Sequence, residues 1–289
     1  VSAKLPASEI DALNVLNDEW GSQMGWTGAP SCDWKGVVCK DWDEKPHVTF
    51  LQLSFSRLSG TIPSAVGNFP KLLYLSLQNN TLTGPLPESI GNLSELRYLV
   101  VETNRLNGTI PSVLGGLSKL TNIDLKENQF SGTIPSSFKN LANLVAIDLS
   151  FNKLTGPLID ISQMTTLNEL SINNNRMSGK FPQNIASLKA LTTVNFSFNN
   201  ITGTIPDNWT PLNQITVIEV GHNQITGSVP YSLVSQPRDL ATLDFSFNQM
   251  SGVVPDPICK VTDLHINNNQ FKCPLPSCCG KAGYICGTC

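Results

Sequence analysis

The 289-residue sequence lacks any hydrophobic run approaching the roughly 20 residues of a membrane-spanning helix, so we predict no membrane span in this chain. Positive charge is also scarce, because 19 Lys and Arg against 22 Asp and Glu give a net charge of −3. Chains that bind nucleic acids or anionic membranes are usually basic, so we expect neither partner. Glycine-rich phosphate loops are missing as well, since the glycines recur at regular intervals.

Residue combinations that support catalysis are rare too. The sequence has three histidines, and none has a Ser or Cys nucleophile at a matching position: His47, His222 and His265. His265 beside Asp244 could form a dyad or half of a metal site, but two ligands do not make a metal site. Asp124 and Asp148 could imitate a paired-carboxylate hydrolase, yet no insertion is available to form a pocket. We therefore predict that the protein is not an enzyme and uses no cofactor or metal.

Cysteine is absent from the middle of the chain. All eight cysteines lie near the two ends, at Cys32, Cys39, Cys259, Cys273, Cys278, Cys279, Cys286 and Cys289. An even number of cysteines in this arrangement predicts disulfide bonds and hence an oxidising compartment. The Cys286-x-x-Cys289 pair could also be a zinc or redox motif, although a disulfide is the favoured role. The pairing of the last six cysteines is left open by the sequence.

Six N-glycosylation sequons accompany the cysteines, at Asn79, Asn92, Asn107, Asn195, Asn200 and Asn208. Because disulfides and glycans belong to the same compartment, the combination predicts a secreted or cell-surface glycoprotein. The chain begins at Val1 rather than Met, so we also expect that a targeting segment has been removed.

What the sequence does contain is a short repeat. Leu120, Ile123 and Leu125 are spaced L-x-x-L-x-L and are followed by Asn128, which is the pattern of a leucine-rich repeat. Strand alternation points Ile123 and Leu125 inward and the residues between them to water. The Asn128 amide is expected to donate and accept hydrogen bonds within the stacked turns. The same position recurs in steps of 21 to 25 residues, at Ser56, Asn80, Asn104, Asn128, Asn152, Asn175, Asn199, Asn223, Asn248 and Asn269.

This periodicity predicts an α/β solenoid of about ten turns, in which each turn contacts mainly its neighbours. We divide it into an N-terminal cap over residues 1–47, a repeat array over 48–258, and the last repeat with a Cys-rich cap over 259–289. In the first cap, Ser8 resembles a helix N-cap, and Leu13 and Leu16 supply an apolar face. Ile159 stands where other turns have Pro, so we expect an irregular outer wall there.

Variants of the phrase Asn-x-φ-Ser/Thr-Gly-Thr-Ile-Pro, where φ is apolar, recur at residues 104–111, 128–135 and 199–206, and the N-terminal block ends in Trp-x-Gly-Val-x-Cys39. These motifs resemble plant-type extracellular leucine-rich repeat proteins, namely the ectodomains of receptor-like kinases and receptor-like proteins, with polygalacturonase-inhibitor-like proteins as relatives. The resemblance implies a right-handed superhelix with a parallel sheet on its concave side and disulfide-stapled caps at both ends. The six-cysteine tail departs from the usual paired-cysteine end cap.

Candidate binding residues lie on the exposed columns of the predicted concave face. Asp124 and Asp148 are neighbours about 4.8 Å apart, and this acidic strip suits a basic peptide or protein, unless it is ordinary solvated surface. Tyr74 and Tyr98 follow Phe50 in another column, where exposed aromatics indicate a contact site unless the N-terminal cap covers them. The candidate partner-binding residues are Tyr74, Tyr98, Glu102, Asp124, Lys126, Asp148, Glu219 and Asp244.

Two further predictions concern side chains on or next to the concave face. Alternation points Asn195 to the concave side, where a glycan would confine binding to turns two to five. A set of phenylalanines near the ladder asparagines is expected to pack along the strand ends as structure: Phe55, Phe151, Phe198 and Phe247.

The leading hypothesis is a recognition module that binds a protein or peptide ligand, or a co-receptor, through its concave face, as in receptor-like signalling or defence. One alternative is an inhibitor of secreted polysaccharide-degrading enzymes, and another is a structural cell-wall or adhesion protein. We expect a monomer or weak oligomer.

Overall fold

A computed structural model of the chain describes residues 4–235 and 240–287. The chain forms two compact units, Val1–Asn152 and Lys153–Cys289. Each unit is a leucine-rich repeat solenoid in which a short strand of a main parallel sheet alternates with a second short strand or a helical turn. The predicted fold class is therefore confirmed. No helix in the described part of the chain combines the length and the apolar character needed to cross a membrane.

The first unit begins with a helix and a hairpin, after which four 3-10 helices alternate with the strands. Its helix is α1 (Ala7–Met24), and its strands are β1 (Val37–Trp42), β2 (Lys45–Gln52), β3 (Tyr74–Ser76), β4 (Thr83–Gly84), β5 (Tyr98–Val100), β6 (Arg105–Thr109), β7 (Asn122–Asp124), β8 (Gln129–Gly132) and β9 (Ala146–Asp148). Its 3-10 helices are Ser64–Asn68, Glu88–Asn92, Ser112–Gly116 and Ser136–Asn140. In the main sheet β1 pairs antiparallel with β2, and β2, β3, β5, β7 and β9 pair in parallel.

The second unit repeats this plan. Its strands are β10 (Lys153–Gly156), β11 (Glu169–Ser171), β12 (Arg176–Met177), β13 (Thr193–Asn195), β14 (Thr202–Thr204), β15 (Val217–Glu219), β16 (Gln224–Gly227), β17 (Thr242–Asp244), β18 (Gln249–Val253), β19 (Asp263–His265), β20 (Gln270–Lys272) and β21 (Tyr284–Ile285). Its helices are Ile185–Ser187 and Asp256–Lys260, both 3-10, and α2 (Tyr231–Ser235). The parallel main sheet has the order β11, β13, β15, β17, β19, β21.

The core of each unit consists of the inward leucines and isoleucines that the repeat pattern predicts. Leu75, Leu99 and Ile123 occupy equivalent places on successive strands and are all at most 1% exposed. Burial of such a side chain stabilises the fold by about 1.5–3 kcal/mol. A strand of three residues is too short to be stable alone, so its conformation depends on the turns stacked on either side.

The ladder asparagines connect neighbouring turns through their side-chain amides, as predicted. Asn128 is 8% exposed, and its Oδ1 accepts a hydrogen bond from the backbone N–H of Leu106 at 3.0 Å. Its Nδ2 donates to the carbonyl oxygens of Val101 at 3.0 Å, Lys126 at 3.1 Å and Leu125 at 3.3 Å. The amide thereby satisfies backbone groups of two turns at a point where no strand pairs with them.

The N-terminal helix begins at Ala7, two residues earlier than a Ser8 N-cap would place it. Pro6 is the N-cap, and its carbonyl accepts hydrogen bonds from the N–H groups of Glu9 and Ile10, so the expected Ser8 cap is wrong. Glu9 is fully buried instead: its Oε2 accepts the N–H of Val48 at 2.8 Å, and its Oε1 lies 2.5 Å from Nδ1 of His47. A buried carboxylate needs such partners, and these contacts attach the helix to β2.

The same helix covers the first turn of the array. Leu13, Leu16 and Trp20 are completely buried, which confirms the predicted apolar face. Near the end of the helix, Glu19 Oε1 accepts a hydrogen bond from the Thr61 N–H at 3.1 Å. Thr61 forms a parallel bridge with Thr83, so this carboxylate occupies the free side of an outer strand edge. Covering an edge in this way prevents pairing with other chains.

Disulfides staple both ends of the chain, as predicted. The bonds are Cys32–Cys39, Cys259–Cys278 and Cys279–Cys286. Cys273 is also disulfide-bonded, and Cys289 lies outside the described residues. Trp34 lies in the loop closed by Cys32 and Cys39 and stacks on Trp26 with ring centroids 4.9 Å apart, and each is less than a tenth exposed.

The outer wall is irregular where Ile159 replaces Pro. Residues 157–168 contain no 3-10 helix, unlike the corresponding stretches of the first unit, where Pro precedes each such helix. The missing Pro is not the sole cause, because residues 205–216 include Pro206 and also lack a 3-10 helix.

Replacing Asn128 with Ala should lower the free energy of unfolding by about 2–4 kcal/mol, because several buried backbone groups would lose their partner. Chemical denaturation measures the change. Asn140, which is exposed on a 3-10 helix, provides the matched control, and its replacement with Ala should change the free energy by about 0.5 kcal/mol or less. Equal effects at the two positions would contradict the role assigned to the ladder amide.

Replacing Cys32 and Cys39 together with Ser should lower the free energy of unfolding by about 2–3 kcal/mol, because the bond closes a short loop with a sequence separation of 7. Thermal melts of the variant and of the parent, both under oxidising conditions, measure this effect. An unchanged melting temperature would mean that the N-terminal staple does not contribute to stability.

Candidate functional site

The strand face, defined as the solvent-facing side of the main sheet, carries an aromatic row in the first unit. Phe50, Tyr74 and Tyr98 are register neighbours on β2, β3 and β5. Their ring centroids are 6.1 Å apart for Phe50 and Tyr74, and 5.6 Å apart for Tyr74 and Tyr98. Tyr98 is 40% exposed, whereas Lys40 of β1 lies over Phe50 with Nζ 5.0 Å from the ring centre. The N-terminal hairpin thus contacts one end of the row and leaves Tyr98 accessible.

A group of carboxylates follows the aromatic row on the same face. Asp124 and Asp148 are register neighbours on β7 and β9, and Asp124 also interacts with Glu102, which follows β5. All three side chains are partly buried. Each aspartate uses one carboxylate oxygen to accept a backbone N–H two residues on, at 3.1 Å from Lys126 and 2.8 Å from Ser150.

Burial raises the pKa of Asp124 to about 7, with further upward contributions from the charges of Glu102 and Asp148 and from a hydrogen bond with Glu102. The N–H of Lys126 opposes this rise. A carboxyl group with this pKa holds its proton in mildly acidic solution and carries a full negative charge only above neutrality. The charge of this group of carboxylates therefore changes with pH around neutrality.

Lys126, the one cation among the candidate binding residues, pairs with Glu127. Its Nζ lies 3.7 Å from Oε1 of Glu127, and Glu127 also accepts a hydrogen bond from Thr103 Oγ1 at 3.2 Å. The ammonium group is thus directed toward Glu127, and Lys126 affects the pKa of Asp124 through its backbone N–H and not through its charge. Among the described residues, none forms a salt bridge with Asp124 or Asp148, so a cationic ligand would meet carboxylates that are not already paired with a protein cation.

The second unit contains the other two predicted carboxylates, Glu219 and Asp244, as register neighbours on β15 and β17. Burial raises the pKa of Glu219, and repulsion from Asp244 and Asp263 adds to the rise, while His265 opposes it. The Asn195 Nδ2 group donates a hydrogen bond to the Glu219 carboxylate. His265 is 3.3 Å from Asp263 through Nε2, so its partner is Asp263 rather than the Asp244 considered from the sequence.

The structure also exposes rings that the sequence interpretation assigned to packing. The residue before each ladder position has a left-handed backbone, at Phe55, Asn79, Thr103, Glu127 and Phe151 in the first unit and at Asn174, Phe198, His222, Phe247 and Asn268 in the second. This column of ten positions is named the turn column, and its four phenylalanines are between 45% and 71% exposed, so none of them belongs to the core. Phe198 and Phe247 each stack on His222 with ring centroids 4.1 Å apart, so the predicted packing along the strand ends holds for these two rings. The left-handed turn rotates these side chains away from the core, which strand periodicity does not reveal.

The sequons differ in accessibility. Asn92, Asn107, Asn200 and Asn208 are exposed, whereas Asn79 and Asn195 are partly buried. Asn195 lies on the strand face between buried Val194 and Phe196, as alternation predicted. Its Oδ1 accepts the N–H of Ser197 at 3.1 Å, so both ends of the amide are engaged. Glycan occupancy stays a prediction at all six positions.

The comparisons with known proteins agree with this architecture. The family model described as a leucine-rich repeat region matches residues 47–253. The ectodomain of the receptor kinase GASSHO1/SCHENGEN3 from Arabidopsis thaliana, in complex with CASPARIAN STRIP INTEGRITY FACTOR 2, is 30% identical with a TM-score of 0.79; the match covers 84% of this chain and 30% of that chain. The Arabidopsis HAESA ectodomain, in complex with an N-terminally extended IDA peptide hormone, is 27% identical with a TM-score of 0.74 and covers 97% of this chain and 52% of that chain.

This chain therefore spans about half or less of those receptor ectodomains. A plant ice-binding protein is also similar, with 24% identity and a TM-score of 0.68 over 98% of this chain and all of that chain, a likeness that concerns the fold alone. No curated protein matches the sequence. Within residues 4–235 and 240–287, no group of three or more His, Cys, Asp and Glu side chains is arranged to hold a metal ion.

Replacing Asp124 with Asn should stabilise the protein at high pH and have little effect at low pH. The folded state keeps the Asp124 proton up to about pH 7, whereas the unfolded chain loses it near pH 4, so the carboxyl destabilises the fold progressively as pH rises through this window. Asn has no proton to lose. Because the group is partly solvated, we expect a gain of about 1–2 kcal/mol at about pH 8 that disappears near pH 4. Denaturation at both pH values measures the difference, and a gain independent of pH would contradict the raised pKa.

Proposed function

Because this chain belongs to the leucine-rich repeat family, we propose that it is an extracellular recognition module without catalytic activity. Its ligand would be a peptide or protein segment that binds the concave strand face of the first unit. The observation that carries the proposal is the exposed Tyr98 ring near the partly buried carboxylates of Asp124 and Asp148, which form no salt bridge within the described part of the chain.

The chemistry of this patch indicates the type of ligand. Tyr74 and Tyr98 provide apolar contact area with a polar hydroxyl, and tyrosine is among the residues that contribute most to binding energy at interfaces. Asp124 and Asp148 provide negative charge within reach of the same ligand, since β7, which carries Asp124, is adjacent to the strand of Tyr98 and β9, which carries Asp148, is the next strand after β7. A basic segment with an apolar side chain complements both parts of the patch.

The rigidity of the scaffold favours such binding. Neighbouring residues of the patch are held in register by the parallel sheet and by the ladder asparagines beneath it. A binding surface that is already ordered loses little conformational entropy when the ligand arrives, so more of the contact energy appears as affinity. Flexible ligands such as peptides gain most from this arrangement, because only one partner has to become ordered.

Several similar structures support the choice of ligand class. GASSHO1/SCHENGEN3 is a receptor-kinase ectodomain in complex with CASPARIAN STRIP INTEGRITY FACTOR 2, and HAESA is one in complex with a peptide hormone. By analogy, we propose an extracellular location and a role in receptor-like signalling or defence, with a co-receptor as a possible second partner. The disulfides at both ends are consistent with an oxidising compartment. The alternatives are an inhibitor of secreted polysaccharide-degrading enzymes and a structural cell-wall or adhesion protein. The experiment must distinguish both from a peptide-binding module.

A displayed library of random peptides, selected against the glycosylated protein, tests the proposal. We expect enrichment of peptides that combine basic and aromatic residues, and we expect Tyr98→Ala with Asp148→Ala to weaken their binding by at least about tenfold. Binding should also strengthen from about pH 5 to about pH 8 as Asp124 loses its proton.

The matched control is Tyr231→Ala with Asp41→Ala, which removes an exposed tyrosine and an exposed aspartate outside the patch. This control should retain the affinity of the parent. Selected peptides that bind the Tyr98 and Asp148 double variant unchanged, with its fold intact, would refute the patch. Inhibition of a secreted polysaccharide hydrolase in place of peptide binding would favour the inhibitor alternative.

A further inference from the structure

An open cavity of about 490 Å³ lies on the outer wall of the second unit. It adjoins the C-terminal ends of β14 and β16, two outer strands that pair in parallel, and Thr204 and Ser228 are among its lining residues. All of the lining residues belong to the second unit. The volume lies within the range of about 300–1,000 Å³ that is typical of small-molecule sites, so the cavity has room for a small ligand.

The cavity coincides with an irregular part of the outer wall. Residues 205–216 contain no 3-10 helix, whereas the next turn carries the short helix α2. Because these neighbouring turns differ in conformation, their side chains cannot repeat the regular stacking of the first unit, and a gap between them follows. The lining includes residues of both turns, among them Pro206 and Tyr231.

Hydrogen bonds fix the segments that surround the cavity. Gln183 Nε2 donates to two backbone carbonyl oxygens at 2.9 Å each, one of which belongs to Thr204. The Ser232 hydroxyl donates to the carbonyl oxygen of Asp207 and accepts the N–H of Trp209 at 3.1 Å. A ligand that enters a cavity with ordered walls causes little further loss of conformational entropy, so weak contacts can still contribute to binding.

The lining combines one aromatic ring with groups that donate and accept hydrogen bonds. Tyr231 is 60% exposed, so its ring is available to a ligand. The Oε1 atom of Gln183 and the carboxylate of Asp207 are acceptors, and the hydroxyls of Thr204 and Ser228 both donate and accept. Within residues 4–235 and 240–287, the Asp207 carboxylate takes part in no salt bridge or side-chain hydrogen bond.

This composition favours a neutral sugar over an organic cation. A pyranose has an apolar C–H face that packs on an aromatic ring, and its hydroxyl groups donate and accept at the edge, so it complements both parts of the lining. A cation is bound best by several rings or by a carboxylate that is shielded from water. Among the described lining residues Tyr231 is the single aromatic, and Asp207 is exposed, so solvent and salt screen its charge.

A possible source of sugar lies next to the cavity in the chain. Asn208 is an exposed sequon that directly follows Asp207, and the Cα atoms of adjacent residues are about 3.8 Å apart. We propose that the cavity binds one neutral pyranose residue, with its C–H face on Tyr231 and its hydroxyl groups on Asp207 and Gln183. The sugar belongs either to a glycan on Asn208 or to a separate oligosaccharide. This proposal does not rest on peptide binding by the first unit.

The test uses the whole chain with Asn208→Gln, in which the glycan at this position cannot form. The probes are N,N′-diacetylchitobiose and cellobiose, two neutral disaccharides, and their Kd values are measured by saturation-transfer NMR titration. We expect at least one of them to bind, and we expect Asp207→Ala with Tyr231→Ala to weaken its binding at least about fivefold. Both side chains are exposed, so the fold should be preserved.

A matched control and the parent chain complete the experiment. Val253→Ala with Asp256→Ala removes an exposed apolar side chain and an exposed aspartate of the outer wall that do not line the cavity, and it should leave disaccharide binding unchanged. Glycopeptide mass spectrometry establishes whether the parent carries the Asn208 glycan. Weaker probe binding by the glycosylated parent than by Asn208→Gln identifies that glycan as the occupant, whereas equal binding identifies a separate saccharide.

The proposal is overturned if neither disaccharide binds the Asn208→Gln chain, or if Asp207→Ala with Tyr231→Ala leaves binding unchanged. Tighter binding of tetramethylammonium than of either disaccharide would also overturn it, because the site would then select a cation. A failure here is distinguishable from a failure of the first-unit patch. Tyr98→Ala with Asp148→Ala should leave disaccharide binding unchanged, since both residues lie in the other unit.

Discussion

The hydrogen bonds of the ladder asparagines are the interaction on which both units depend. Each turn must bend sharply after three strand residues, and at that bend several backbone donors and acceptors have no strand partner. The Asn128 amide serves groups on two turns at once, with one acceptor and one donor group in a fixed plane. No hydrophobic side chain can replace it, since the cost of the unmade hydrogen bonds would remain. The regular spacing of the strand face, and hence of every candidate site on it, follows from this repeated bend.

Much of the fold was predictable because the repeat makes each turn a copy of the last. Leu75 and Leu99 had to be buried once the period and the strand alternation were recognised. Local features that do not repeat were less accessible to this reasoning. Ser8 matched a capping pattern, yet Pro6 is the N-cap of the helix. The reason is that the Glu9 side chain is buried, where it contacts His47 and accepts the N–H of Val48. Such a choice depends on a tertiary contact 38 residues away, which no local pattern contains.

The candidate sites, too, combine features that the repeat pattern predicts with features that it does not. The positions of Tyr98 and Asp148 on the strand face follow from alternation, so the sequence was sufficient to place them on one surface. The raised pKa of Asp124 was not predictable, because it arises mainly from burial, a property of the assembled turns. The stacked rings of Phe198, His222 and Phe247 were not predicted as an exposed surface, for a different reason. These residues were read by hydrophobicity alone, whereas a left-handed backbone at Phe198 and Phe247 turns them toward solvent.

The turn column also bears on how such a protein can change. Asn, Thr, Glu, Phe and His all occupy this one backbone conformation within the chain, at Asn79, Thr103, Glu127, Phe151 and His222. Side-chain identity at the column is therefore uncoupled from the path of the main chain, because the ladder asparagine next to it fixes that path. A mutation there can alter the chemistry of the surface while leaving the scaffold intact. Binding specificity can thus change one turn at a time while the spacing between turns stays constant.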